Sequence, residues 1–105
     1  MTAADFIKSL PAKATPEALE DMDTNFFFDI SGEGGGEYTL IAKDGELVLH
    51  EGRQGEAKCE VKAKSDNFMS VIKGDTNPMM AVMTGKLKIK NTGELLKYAK
   101  VFGLM

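Results

Sequence analysis

The chain is poor in the residues that most often carry chemistry. Its 105 residues include one cysteine, Cys59, and one histidine, His50. A lone cysteine closes no internal disulfide, which fits a reducing compartment and predicts a cytoplasmic protein. No apolar run approaches the roughly 20 residues that cross a membrane as a helix. The opening stretch, MTAADFIKSL, lacks a basic region followed by an apolar one, so no secretory leader is read there. Thirteen Lys+Arg stand against 16 Asp+Glu, a formal net charge of −3, so the chain as a whole is not built to bind nucleic acid. No repeat or low-complexity linker divides it. The expectation is one domain, residues 1–105, large enough to bury roughly two-thirds of its unfolded surface.

The same poverty argues against an enzyme acting alone. His50 closes a strand at a turn, with no cysteine close in sequence to activate, and reads as a surface residue. Cys59 alternates with the apolar set of its own segment and reads as a small buried hydrophobe. No spacing of His, Cys, Asp and Glu matches a metal site, and no cofactor is expected. Glu17, Glu20 and Asp21 read as a solvated helix face. The glycine-rich Gly32–Gly36 invites comparison with a phosphate loop. That loop needs a strand before it, a helix after it and a closing lysine, whereas here a strand follows and the lysine is missing. Gly85-Lys86 also precedes a strand, so no helix N-terminus stands there to hold an anion.

What is present is patterning. Phe6, Ile7 and Leu10 lie at helical spacing on a segment that Pro11 is expected to stop. Thr15-Pro16-Glu17 predicts a second helix to about Met22, presenting Leu19 and Met22. Asn25–Ile30 then reads as a strand, with Phe26, Phe28 and Ile30 on one side and Phe27 and Asp29 on the other. A second strand, Glu37–Lys43, puts Tyr38, Leu40 and Ala42 on one face. Asp44-Gly45 predicts a hairpin into a third strand, Glu46–His50. In a fourth strand, Ala57, Cys59, Val61 and Ala63 alternate with Lys58, Glu60, Lys62 and Lys64. Ser65 is expected to cap a helix carrying Phe68, Met69, Val71 and Ile72, which Gly74 ends. Asn77-Pro78 starts a short helix that Gly85 ends. Leu87 and Ile89 alternate with Lys86, Lys88 and Lys90 in a fifth strand. A last helix is expected from about Thr92 to Val101. The fold class is α+β: about five strands, mostly hairpin-linked, with helices over one face and a wet, lysine-bearing face opposite.

Two features go beyond a plain core. Four of the seven methionines fall between Met69 and Met83. Met79 and Met83 are one turn apart and Met80 and Met83 are three residues apart, so the spacing clusters them on the short helix. They read as gap-filling core or as an adaptable apolar wall. The chain then closes on Leu95, Leu96, Tyr98, Val101, Phe102, Leu104 and Met105, which must dock on the core, meet a second copy or cover an apolar pocket.

The residues from Cys59 to Lys90 resemble the sterol carrier protein type 2 family, the nonspecific lipid-transfer proteins. The resemblance rests on the alternating strand at Cys59–Lys64, the Ser65-Asp66-Asn67-Phe68 helix start, and Gly74-x-x-Asn77-Pro78 followed by Gly85-Lys86-Leu87-Lys88-Ile89. It implies a five-stranded, mostly antiparallel sheet with helices on one face and an apolar tunnel between the layers. It implies non-catalytic binding and transfer of a fatty acid, fatty acyl-CoA, phospholipid or sterol. Residues carried over as tunnel lining are Phe68, Ile72, Met79, Met80 and Met83, then Leu95, Leu96 and Phe102. Leu104 and Met105 go with the tail as its lid. The ending Gly103-Leu104-Met105 departs from the small-basic-Leu ending of many eukaryotic members and points to a prokaryotic cytoplasmic protein.

The expected partner is therefore a lipid or acyl-CoA ligand. The outer lysines, Lys58, Lys62, Lys64, Lys86, Lys88 and Lys90, read as a solvated face or as a contact for an anionic membrane. The alternative is an interaction or dimerisation module with a collapsed tunnel, using the Met-rich helix and the tail to form a homodimer.

Overall fold

The computed structural model describes residues 2–13, 17, 20, 22–91 and 93–94. Helix α1 (Ala3–Lys13) opens on a reciprocal cap. Thr2 Oγ1 accepts from the Asp5 N–H at 3.1 Å, and Asp5 Oδ2 accepts from the Thr2 N–H at 3.1 Å. The Thr2 N–H, and after it the Thr2 hydroxyl, hold the Asp5 carboxyl below its ordinary pKa. The expected stop at Pro11 does not occur, because the helix runs through it to Lys13. A proline in the last turn forfeits one hydrogen bond where few remain to be made. Phe6, Ile7 and Leu10 are all buried, and each contributes about 1.5–3 kcal/mol, together more than the ~3 kcal/mol an interior proline costs. The helix expected from Pro16 falls largely outside the described residues. Within it Glu17 and Glu20 are helical and exposed, and Met22, where it was expected to end, is buried.

Five strands follow the expected periods: β1 (Thr24–Ser31), β2 (Gly36–Lys43), β3 (Glu46–Glu51), β4 (Cys59–Lys64) and β5 (Leu87–Lys90). They form one sheet in the order β3-β2-β1-β4-β5. Three neighbouring pairs are antiparallel, and the fourth, the central strand β1 with β4, is parallel. At the β2–β3 hairpin, Asp44 and Gly45 take φ of 55° and 78°, the left-handed pair that a two-residue turn between twisted strands requires.

Alternation places the core on one face. Phe26, Phe28 and Ile30 of β1, Tyr38, Leu40 and Ala42 of β2, and Cys59, Val61 and Ala63 of β4 are all buried in a single cluster. Helices α1, α2 (Ser65–Ile72) and α3 (Pro78–Met83) are applied to the sheet, and Phe6, Ile7, Leu10, Phe68 and Ala81 join that cluster.

The opposite face is wet only in part. Phe27 and Thr39 point away from the helices and are nonetheless buried. The loop after β3 lies over them. Thr39 Oγ1 donates to the Gly52 carbonyl at 2.7 Å and accepts from the Gln54 N–H at 3.0 Å. The Arg53 guanidinium stacks 4.1 Å from the Phe27 ring centroid and pairs with Glu60. Over β4 and β5 the face stays open, and Lys62, Lys64, Lys88 and Lys90 are exposed.

Candidate functional site

The helix layer is tied to the sheet at the glycine-rich turn. Ser65 does not cap α2. The capping position belongs to Lys64, with φ −77° and ψ 147° and no side-chain bond. Ser65 is buried inside the first turn, and its Oγ donates to the Glu33 carbonyl at 2.6 Å. The adjacent Gly34 carbonyl accepts from the Ala4 N–H at 2.9 Å, so one turn anchors the start of both α1 and α2. A Cβ on Gly35 would come within 2.2 Å of the Ile30 carbonyl oxygen, so the turn closes only around a glycine. The run Gly32–Gly36 is a structural clamp, and strand β2 follows it directly.

From that anchor α2 carries Phe68 into the interlayer space. Its ring meets Phe6 of α1 at 5.9 Å between centroids and Phe28 of β1 at 6.3 Å, both edge to face. Phe28 in turn stacks with Phe26 at 6.5 Å. Ile72, one helical turn beyond Phe68, is half-buried against the same cluster. Sequence reasoning did not join Phe6 and Phe28 to Phe68. Each lies on its own periodic face, and only the packing brings the three together.

After α2 the chain turns tightly. The Asp75 and Thr76 N–H groups both bond the Ser70 carbonyl, at 2.9 and 3.2 Å, and the Ser70 and Thr76 hydroxyls lie 2.7 Å apart. Asn77 then caps α3 as expected, its Oδ1 accepting from Met79 N–H at 2.9 Å and Met80 N–H at 3.4 Å, with Pro78 at the first helical position. Gly85, at φ 79°, ends the helix. Its N–H bonds the Val82 carbonyl and the Lys86 N–H bonds the Ala81 carbonyl, the two crossed bonds of a Schellman close.

This six-residue helix presents its small side chain inward. Ala81 is fully buried and Val82 half-buried. Met79, Met80 and Met83 are 51%, 54% and 78% exposed. Of the expected lining residues, the fold thus brings Phe68 and Ile72 into the interlayer core and sets the three methionines on the exposed side of α3. Leu95, Leu96, Phe102, Leu104 and Met105 lie outside the described residues, as does most of the helix expected from Thr92. Cys59 packs as a fully buried hydrophobe, and His50 is exposed on the edge strand β3. Among the described residues no three His, Cys, Asp or Glu side chains gather as a metal site would require, and no helix is long and apolar enough to cross a membrane.

The chain thus combines a five-stranded sheet in the order β3-β2-β1-β4-β5 with an Asn-Pro-capped short helix closed by Gly85. The model of the SCP-2 sterol transfer family matches residues 4–103. The chain belongs to the SCP-2 sterol transfer family. Among its relatives is hydroxysteroid dehydrogenase-like protein 2 of Xenopus tropicalis, 32% identical over 100 residues, covering 93% of this chain and 24% of the relative. The chain therefore spans about a quarter of the length of that curated relative. The fatty acid-binding protein of Yarrowia lipolytica is 26% identical over 98 residues, covering 90% of this chain and 74% of that protein. The solved apo structure of sterol carrier protein 2 from Yarrowia lipolytica superposes with a TM-score of 0.73 at 21% identity, covering 96% of this chain and 87% of that one. This SCP-2 chain thus has the sheet and helix layer that the resemblance around Gly74–Ile89 implied.

Proposed function

We propose that this SCP-2 family chain binds the apolar part of a lipid between its helices and sheet and carries it without reacting with it. The observation that carries this reading is α3, a two-ended, well-capped helix that leaves three methionines exposed beside a core reaching through Phe68 and Ile72. Unbranched thioether side chains adapt to varied apolar shapes, which suits a wall meeting more than one lipid. The likeness to a protein named fatty acid-binding supports a fatty acid or its acyl-CoA as the ligand class, with phospholipid and sterol as the wider set. In this reading residues 1–105 act as one lipid-binding domain in the cytoplasm. Leu95, Leu96 and Phe102 complete an apolar tunnel, and Leu104 and Met105 belong to its lid.

The energetics suffice without polar chemistry. Burying about 15 methylenes contributes about 12 kcal/mol. An association cost near the low end, about 4 kcal/mol, leaves a Kd of about 1 μM.

Transfer also requires contact with a membrane, and the outer lysines supply charge suited to an anionic one. Native mass spectrometry of the purified chain tests the proposal, followed by displacement of a bound fluorescent fatty acid with fatty acids, acyl-CoAs, phospholipids and sterols. Co-purified lipid or micromolar displacement supports it, and the absence of both overturns it. Deleting residues 102–105 separates this reading from a homodimerisation module. A truncated chain that loses its dimer and keeps its lipid affinity favours the module.

A further inference from the structure

Lys62 of β4 and Lys88 of β5 are register partners on the outer face of the sheet. Like charges directly opposed across two strands cost stability, so the pairing asks for a compensating anion. Lys64 stands two residues after Lys62, and Lys86 two residues before Lys88. All four lysines line one cleft of about 330 Å³ with Thr84 and Asn67, and no Asp or Glu lines it. All four are exposed, and none joins either of the ion pairs formed among the described residues. The remaining lysines of this face are engaged elsewhere. Lys90 pairs with Glu60 at 3.8 Å, and Lys58 Nζ donates to the Asp23 carbonyl at 2.9 Å. Asp29 stands opposite Lys62 across the β1–β4 register and makes no ion pair with it. In a chain of net charge −3, this is a cluster of positive charge with no ion-pair partner among the described residues.

We propose that this four-lysine cleft is the surface by which the chain docks on an anionic phospholipid bilayer, its ammonium groups meeting headgroup phosphates. The inference rests on the lipid-carrier reading, which requires a membrane encounter, and adds where that encounter occurs. A bilayer fits the cleft better than a soluble phosphate does. The site is open, and its donors are point charges on flexible stems rather than rigid guanidinium forks or converging backbone N–H groups. Such groups hold one phosphate weakly. A bilayer presents many phosphates at once, and each lysine then multiplies the affinity roughly fivefold.

Co-sedimentation of the full chain tests this, with vesicles of phosphatidylcholine alone and of equal parts phosphatidylcholine and phosphatidylglycerol. The expected result is binding to the mixed vesicles only, weakening as salt rises. Replacing Lys62, Lys64, Lys86 and Lys88 by Gln is expected to reduce it by more than a hundredfold, whereas Lys43→Gln with Lys73→Gln reduces it far less. Equal binding by the four-lysine variant and the native chain, or binding indifferent to phosphatidylglycerol, overturns the proposal. So does a variant that binds vesicles normally but loses affinity for a soluble acyl-CoA, because the cleft would then serve a free headgroup. Displacement of a fluorescent fatty acid, measured without vesicles, is expected to be unchanged in the variant. A chain that fails that assay in its native form has failed as a carrier, which is a different result from failing to dock.

Discussion

Phe28 of β1 and Phe68 of α2 meet edge to face, with ring centroids 6.3 Å apart and planes at 77°. The contact spans the sheet and the helix layer, and Phe6 of α1 closes on the other side of Phe68 at 5.9 Å. One side chain therefore locks three elements. Replacing Phe68 with Ala is expected to cost about 3–5 kcal/mol. Phe68→Leu, which keeps most of the volume, is expected to cost less than half of that. Urea unfolding followed by circular dichroism measures both, and equal losses in the two variants would remove Phe68 from the central position given to it.

The methionines of α3 are expected to behave oppositely. Met79, Met80 and Met83 are more than half exposed, so changing all three to Gln leaves stability within about 0.5 kcal/mol per site. Affinity for a fluorescent fatty acid is expected to fall by about tenfold or more. A variant that binds as tightly as the native chain would place the lipid elsewhere.

Asn77 offers a test of the cap alone. Its Oδ1 takes the Met79 and Met80 N–H groups, and Asn77→Ala is expected to cost about 1 kcal/mol. Asn77→Asp keeps an acceptor in the same place and is expected to be nearly neutral by the same unfolding measurement.

On the outer face, two interactions of Arg53 compete for importance. Its ion pair with Glu60 is partly exposed, with side-chain exposures of 48% and 28%, and is worth about 0.2–1 kcal/mol. Its stacking on Phe27 keeps that ring dry and adds about 1 kcal/mol through the cation–π contact. Arg53→Ala is therefore expected to destabilise more than Glu60→Gln. Arg53→Lys, which keeps the charge but not the planar group, is expected to rescue only part of the loss. Thermal unfolding of the three variants orders them.

The Thr2–Asp5 cap predicts a titration. The folded Asp5 pKa lies below its unfolded value, so the stability it contributes is present above the ordinary carboxylate pKa and is lost as pH falls through the depressed one. Thr2→Ala removes the hydroxyl and keeps the N–H, which is the larger cause. The Asp5 pKa in an NMR titration is expected to rise only part of the way towards its ordinary value.

Much of the fold is legible in local pattern. Alternation in Phe26–Ile30, Tyr38–Ala42 and Cys59–Ala63 names the buried face, because a strand's side chains repeat every two residues. Asp44-Gly45 and Asn77-Pro78 name a turn and a helix start, because few other residue pairs satisfy those backbone conformations. Ser65 misleads, since a hydroxyl that caps in isolation finds a better acceptor in the Glu33 carbonyl, 32 residues away in sequence. Pro11 misleads too, since burial of Phe6, Ile7 and Leu10 outweighs the bond that proline forfeits.

By itself, then, the sequence determined the five strands and their inward faces, the Asp44-Gly45 turn, the Asn77-Pro78 helix start and the family, all of which depend on residues close together in the chain. Only the tertiary structure decided that β1 and β4 lie parallel at the centre, that Gly52–Gln54 shelters Thr39, that Ala81 rather than the methionines meets the core, and that Lys62, Lys64, Lys86 and Lys88 share one cleft. Those outcomes join residues far apart in sequence. They follow from the competition among all the faces for the same buried space, which no local period records.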